Sequence, residues 1–141
     1  MSYLAADHDR LGGMLADVCR EMEAGRPETA AERYAAFDSA LTRHIRIEEE
    51  LVFPFFEMRS GLSGGPTTVM REEHRTIQHA LGLIREALAA RDERAFRAGM
   101  SALGDVLPEH REREERILYP MTDRMLSASE RDIFVQRLKQ E

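Results

Sequence analysis

Tryptophan is absent from the chain, and cysteine occurs once, at Cys19. One cysteine cannot make an internal disulfide, so a reducing cytoplasm is the simplest expectation. Basic residues are in deficit: 20 Lys and Arg face 26 Asp and Glu, a formal net charge of −6. A nucleic-acid surface needs a basic patch to displace counterions, and Arg111, Arg113 and Arg116 instead alternate with glutamates. Nucleic acid is therefore excluded as an expected partner. No apolar run approaches the roughly 18 residues of a membrane span. The start, Met1 to His8, has neither the basic nor the apolar stretch of a secretory signal. The reading is a cytoplasmic protein with no membrane partner. Aromatics are only 6%, so the core must come mainly from Leu, Ile, Val, Ala and Met.

What is present points to helices. The chain has 141 residues, enough for one domain (1–141) with a real core, and 33% are charged, as suits helices with one wet face. Breakers are few. Gly25-Arg26-Pro27 makes one turn, Ser60 to Pro66 a longer Gly-rich one, and Ala90-Arg91-Asp92 a weaker one with Asp92 as an N-cap. Ser127-Ala128-Ser129-Glu130 reads as a capping box. Between them, Leu4, His8, Leu11, Leu15, Val18 and Met22 share one helical stripe, and Met70, His74, Ile77, Leu81, Ile84 and Leu88 another. No alternation suggests strands. The spacing predicts an all-α fold with helices near 3–23, 28–59, 66–90 and 93–125, and a tail helix near 128–139. Short loops make neighbours antiparallel, giving an up-down-up-down four-helix bundle. Pro54 and Pro120 should each kink a helix or end its regular part.

A shift of 66 residues lays the chain on itself without a gap. His8 meets His74, His44 meets His110, Glu48 meets Glu114, and Pro54 meets Pro120. Leu4, Leu11, Leu15 and Val18 meet Met70, Ile77, Leu81 and Ile84, and Val52-Phe53-Pro54 meets Leu118-Tyr119-Pro120. With five histidines in the whole chain, chance is a poor explanation. The halves, about 1–62 and 66–126, read as a duplicated helix hairpin related by an approximate two-fold axis.

His and Glu four apart lie on one helix face, so each His-x-x-x-Glu offers an imidazole and a carboxylate to one point. His8 and His74 sit on the apolar stripes of the other two helices. Four imidazoles and two carboxylates should meet at the bundle axis. Two buried carboxylates are costly unless a cation pairs them, and no Lys or Arg lies on these stripes. A pair of metal ions solves this, and mixed N/O donors suit Fe, Mn or Zn better than Ca or Mg. The candidate ligands are His8, His44, Glu48, His74, His110 and Glu114.

The pattern resembles the hemerythrin-like (HHE cation-binding) family over roughly residues 4–125. The resemblance rests on His44-Ile45-Arg46-Ile47-Glu48-Glu49 through Phe53-Pro54, and on His110-Arg111-Glu112-Arg113-Glu114-Glu115 through Tyr119-Pro120. It implies two iron ions with a bridging oxo or hydroxo group. His8 and His44 would hold one ion, His74 and His110 the other, with Glu48 and Glu114 bridging. Oxygen carriers of the family have a further histidine four residues after the lone histidine of the third helix, and an aspartate in the fourth helix. This chain has Gln78 and Glu114 there. It therefore resembles the four-His, two-Glu branch, linked to peroxide, nitric oxide and iron handling.

His79 lies five residues after His74, about 140° away in a regular helix, and is expected at the surface unless a π turn rotates it inward. Glu49, Glu50 and Glu115 are expected in solvated pairs with Arg46, Arg111 and Arg113. For Glu49 and Glu115, a hydrogen bond to a metal-bound imidazole is the alternative. Phe53 and Tyr119 are expected to pack, with donation to the site as the alternative for Tyr119. Ile133, Phe134 and Leu138 of the tail either cap the bundle end or offer a homodimer or partner face. Two functions remain open: a di-iron protein with catalase- or peroxidase-like turnover of peroxide or capture of nitric oxide, and an oxygen or iron binding, storage or sensing module without turnover.

Overall fold

The computed structural model describes residues 1–140, and among them there is helix and no strand. Helix α1 spans Ser2–Glu23 and α2 Pro27–Ile47. A π turn, Glu48–Val52, carries α2 into α3, Phe53–Ser60. Helix α4 spans Pro66–Ala89 and α5 Glu93–Arg113. A second π turn, Glu114–Leu118, leads into α6, Tyr119–Met125, and α7 spans Ala128–Gln140. The closest pairings are α1 with α2 and α4 with α5, the two duplicated hairpins.

Local chemistry sets these limits. Pro27 and Pro66 open their helices, where a missing N–H costs nothing. The Asp92 carboxylate accepts from the Ala95 amide at 3.0 Å. At α7 the box is reciprocal: the Glu130 amide donates to Ser127 Oγ at 3.1 Å, and the Ser127 amide to Glu130 Oε1 at 3.0 Å. Helix α1 ends in a Schellman motif, with the Gly25 amide on the Met22 carbonyl and the Arg26 amide on that of Glu21. Gly25 takes the left-handed φ of 75° that this motif needs. The 66-residue shift reproduces the motif at the end of α4, where Arg91 and Asp92 bond the carbonyls of Leu88 and Ala87. Arg91 is left-handed there, at φ 53°, without being glycine.

The expected kinks at Pro54 and Pro120 take a specific form. Each proline stands two residues beyond a π turn, in which the amide of Phe53 or Tyr119 bonds the carbonyl of Glu48 or Glu114, five residues back. A proline ring crowds the carbonyl four residues earlier and offers it no donor, and widening the turn relieves both problems. Helix α5 also runs through Pro108, a third proline inside a predicted helix, for which no kink was among the expectations.

The core divides into two clusters. Leu11, Val18, Phe37, Leu41, Ile77, Leu81, Ile84 and Leu103 belong to one. Leu4, Ile47, Val52, Phe53, Phe56, Met70, Leu118 and Leu138 belong to the other. Along α1, α2 and α4, the histidines fall between residues of the two clusters. In α7, Leu138 is buried and Phe134 packs on Phe55 with ring centroids 5.4 Å apart, so the tail caps the bundle end, while Ile133 is exposed. Among the described residues, no helix is long and apolar enough to cross a membrane.

Candidate metal centre

All six residues singled out by the repeat are buried and come together. They form two groups, His8, His44, Glu48 and Glu114, and Glu48, His74, His110 and Glu114, each with its donor atoms within 4.8 Å of one another. Both glutamates belong to both groups, as bridging carboxylates would. The imidazoles turn Nε2 inward. His8 Nε2 lies 3.0 Å from Glu114 Oε1, His74 Nε2 3.1 Å from Glu48 Oε1, His110 Nε2 3.3 Å from Glu114 Oε2, and His44 Nε2 3.5 Å from Glu48 Oε2.

The Nδ1 atoms turn outward to carboxylates. His44 Nδ1–H donates to Asp7 at 2.7 Å, His74 Nδ1–H to Glu49 at 2.8 Å, and His110 Nδ1–H to Glu73 at 3.0 Å. A proton held on Nδ1 leaves the inward Nε2 lone pair free for a cation and fixes the ring plane. These outer partners obey the duplication: Asp7 is the counterpart of Glu73, and Glu49 that of Glu115. The fourth link is broken. Glu115 lies 3.8 Å from His8 Nδ1, which has no hydrogen-bond partner, and Arg111 holds Glu115 at 3.0 Å instead. Glu49 thus takes the imidazole role offered as its alternative. Glu115 pairs with Arg111, one of the arginines expected for these glutamates, while Arg113 pairs with Glu73 and Glu109.

Asp7 and Glu73 escaped the sequence reading. The signal was there: each precedes a lone histidine and the two are related by the same shift, but as Asp and Glu they do not match by identity. For Tyr119 the sequence favours packing, yet its hydroxyl lies in the site. It donates to Glu48 at 2.6 Å and lies 3.2 Å from Glu114, 3.3 Å from His8 Nε2 and 3.4 Å from His44 Nε2. Five positions of regular helix would turn it about 140° from Glu114. The π turn restores it to the same face. Its counterpart, Phe53, stacks on His74 at 5.4 Å, so one half of the site has a phenol and the other a plain ring. His79 is exposed on an uninterrupted α4, as expected for a residue outside the donor set.

The electrostatics are those of a site short of positive charge. Burial pushes the Glu114 carboxyl well above its usual range, and the neighbouring Glu48 charge pushes it further. Burial would raise Glu48 too, but His44 and hydrogen bonds from the surrounding donors hold it well below. Burial opposes charge on His44, yet Glu48 and Asp7 raise it to about 9. For His8, burial and the charge of His44 bring it down to about 3. Burial and the nearby His74 lower His110, and burial with both glutamates raises the Tyr119 phenol. Glu114 Oε2 is buried without a hydrogen-bond partner. An orphaned carboxylate oxygen among inward lone pairs fits divalent cations of the borderline N/O class.

Helical hairpins, a duplicated His and His-x-x-x-Glu frame, and two donor groups sharing two glutamates define a class. The chain belongs to the hemerythrin HHE cation-binding domain family, whose family model matches residues 1–122. Among curated proteins it is similar to the iron-sulfur cluster repair protein YtfE of Edwardsiella ictaluri (strain 93-146). The identity is 32% over 105 residues, covering 68% of this chain and 48% of that protein. The chain thus spans about half the length of that relative. No solved structure gives a significant match.

Proposed function

We propose that His8, His44, Glu48, His74, His110 and Glu114 hold two iron ions, and that the chain disproportionates peroxide to water and oxygen or captures nitric oxide in the cytoplasm. The observation that carries this reading is the pair of buried four-residue donor groups sharing both glutamates. Bound there, two iron ions would supply the reversible one-electron steps that neither imidazole nor carboxylate can supply. Manganese or zinc would fit the same donors, and only zinc lacks that redox chemistry.

The chain's own residues do the rest. Asp7, Glu49 and Glu73 fix three imidazole rings through Nδ1. The Tyr119 hydroxyl, held against Glu48 at 2.6 Å, is a donor within the His8–His44 half, placed to hydrogen-bond a small oxygen or nitrogen ligand. No histidine follows His74 at four residues, because Gln78 is there, so the donors amount to two imidazoles per ion and two shared carboxylates. That leaves room for an exchangeable ligand at each ion and favours turnover over reversible oxygen carriage. The test is peroxide decay by iron-loaded protein: decay faster than with equal free iron supports the reading, and decay no faster removes its catalytic part.

The likeness to an iron-sulfur cluster repair protein favours a second reading, in which the iron is held for transfer. Iron that passes to an apo cluster protein faster than it dissociates into chelator would support storage or delivery over turnover.

A further inference from the structure

The approximate two-fold axis relates the α1–α5 seam to the α4–α2 seam, and the two differ. Across α4–α2, the Tyr34 hydroxyl donates to the Leu81 carbonyl at 2.7 Å, and Arg85 bonds Asp38 at 2.9 Å. The corresponding pairs across α1–α5 are Met100 with Leu15, and Gly104 with Cys19. Neither pair can form the hydrogen bond or the ion pair, and the backbones of α1 and α5 approach less closely. Small or helix-breaking residues stand at the gap: Gly12 where the other half has Gln78, and Pro108 where it has Thr42. A side chain at Gly12 would meet the Arg111 guanidinium across the seam at 3.9 Å.

The gap leads inward. A cavity of about 230 Å³ has Gly12 and Pro108 at its exposed rim and Leu11, Leu15 and Leu107 along its walls. All four donors of the His8–His44 group, and His110, line it too. The larger groove of about 660 Å³ over the α4–α2 seam touches none of the six donors.

We propose that the α1–α5 cavity is the access path and binding site for the small molecule that reaches the centre, and that Gly12 keeps it open. This rests on the proposed dinuclear centre for its purpose, while the cavity can be tested without metal. Size and lining set the ligand class. Small-molecule pockets commonly measure roughly 300–1,000 Å³, and a water occupies about 30 Å³. A 230 Å³ space that must also hold a cation suits a neutral molecule of diatomic or peroxide size. Its walls are largely apolar, and the one cationic side chain of its lining, Arg111, is already bonded to Glu115 and Asp9, so a charged or larger polar substrate has little to bind.

The test uses the full chain in two arms. In the first, metal-free protein with labelled methyl groups is pressurised with xenon. Shifts should concentrate at Leu11, Leu15 and Leu107, and vanish in Gly12→Leu but not in Gln78→Leu, the matching change in the other half. In the second, nitric oxide is mixed rapidly with reduced, iron-loaded protein. Gly12→Leu should slow association by about tenfold or more, a blocked-access effect on the on-rate. Leu15→Phe should act in the same direction, and it keeps the test valid if Gly12→Leu folds poorly. Xenon shifts elsewhere or nowhere would overturn the proposal. So would equal association rates for Gly12→Leu, Leu15→Phe and Gln78→Leu. Xenon in the seam of a chain that takes up no iron would instead sink the dinuclear reading and leave the cavity assigned.

Discussion

At the scale of single residues, the six candidate donors that the structure gathers were legible because the duplication repeats them by identity. Of the carboxylates behind them, Glu49 and Glu115 were candidates and Asp7 and Glu73 were not. Asp7 and Glu73 interchange two acids, and pairing of glutamates with arginines is the commoner fate of such residues at a helix surface. Yet three of the four imidazoles are aimed by Asp7, Glu49 and Glu73. Removing one frees the ring to rotate and lowers its basicity. Asp7→Ala and Glu73→Ala should each weaken metal binding by ~10–100-fold, read by competition with a chelator of known affinity. Glu115→Ala should do much less, since Glu115 stands 3.8 Å from His8 Nδ1 and is engaged by Arg111. Equal losses for all three would mean that the outer carboxylates act through net charge and not through ring orientation.

At the scale of elements, helix boundaries followed from Pro, Gly and capping residues, and the four long helices and the tail lie where the spacing put them. What the 3.6-residue period could not carry was a change of phase. The π turns at Glu48–Val52 and Glu114–Leu118 shift everything after them, which is how Tyr119 reaches the site. The prolines hinted at a disturbance but not at its kind. The twin Schellman motifs offer a direct test. Arg91 is left-handed where its counterpart Gly25 is glycine, a conformation that costs an ordinary residue about 1 kcal/mol. Arg91→Gly should raise stability by up to about that amount. Set against it is the exposed ion pair of Arg91 with Glu28, and such pairs contribute little. Denaturant unfolding would show it, and a loss of stability would mean that chain entropy dominates at this turn. Gly99 gives the opposite case. A Cβ there would lie 2.7 Å from Ile84 Cγ1, where α5 packs on α4. Gly99→Ala should cost about 1–3 kcal/mol by overpacking, visible as a lower thermal midpoint without loss of helix signal.

At the scale of the whole molecule, two half-sites close into one only when the hairpins pack, so metal binding and folding should be coupled. Without a cation, Glu48 and Glu114 share a buried space in which one must bind a proton, and Glu114 Oε2 is left unpaired. Metal-free protein should melt well below the loaded form, and the gap should narrow in the Glu48→Gln, Glu114→Gln double variant. Equal melting of loaded and metal-free wild type would contradict that coupling. The same duplication gives the most direct test of the dinuclear centre. Two donor groups sharing two glutamates call for two ions, whereas a single ion would leave one group idle. The deciding measurement is the metal count per chain in protein purified from iron-replete cells and freed of loosely bound metal. The expected result is two iron ions per chain, falling together when either Glu48 or Glu114 is replaced by alanine. A count of zero or one in the wild type would contradict the dinuclear centre.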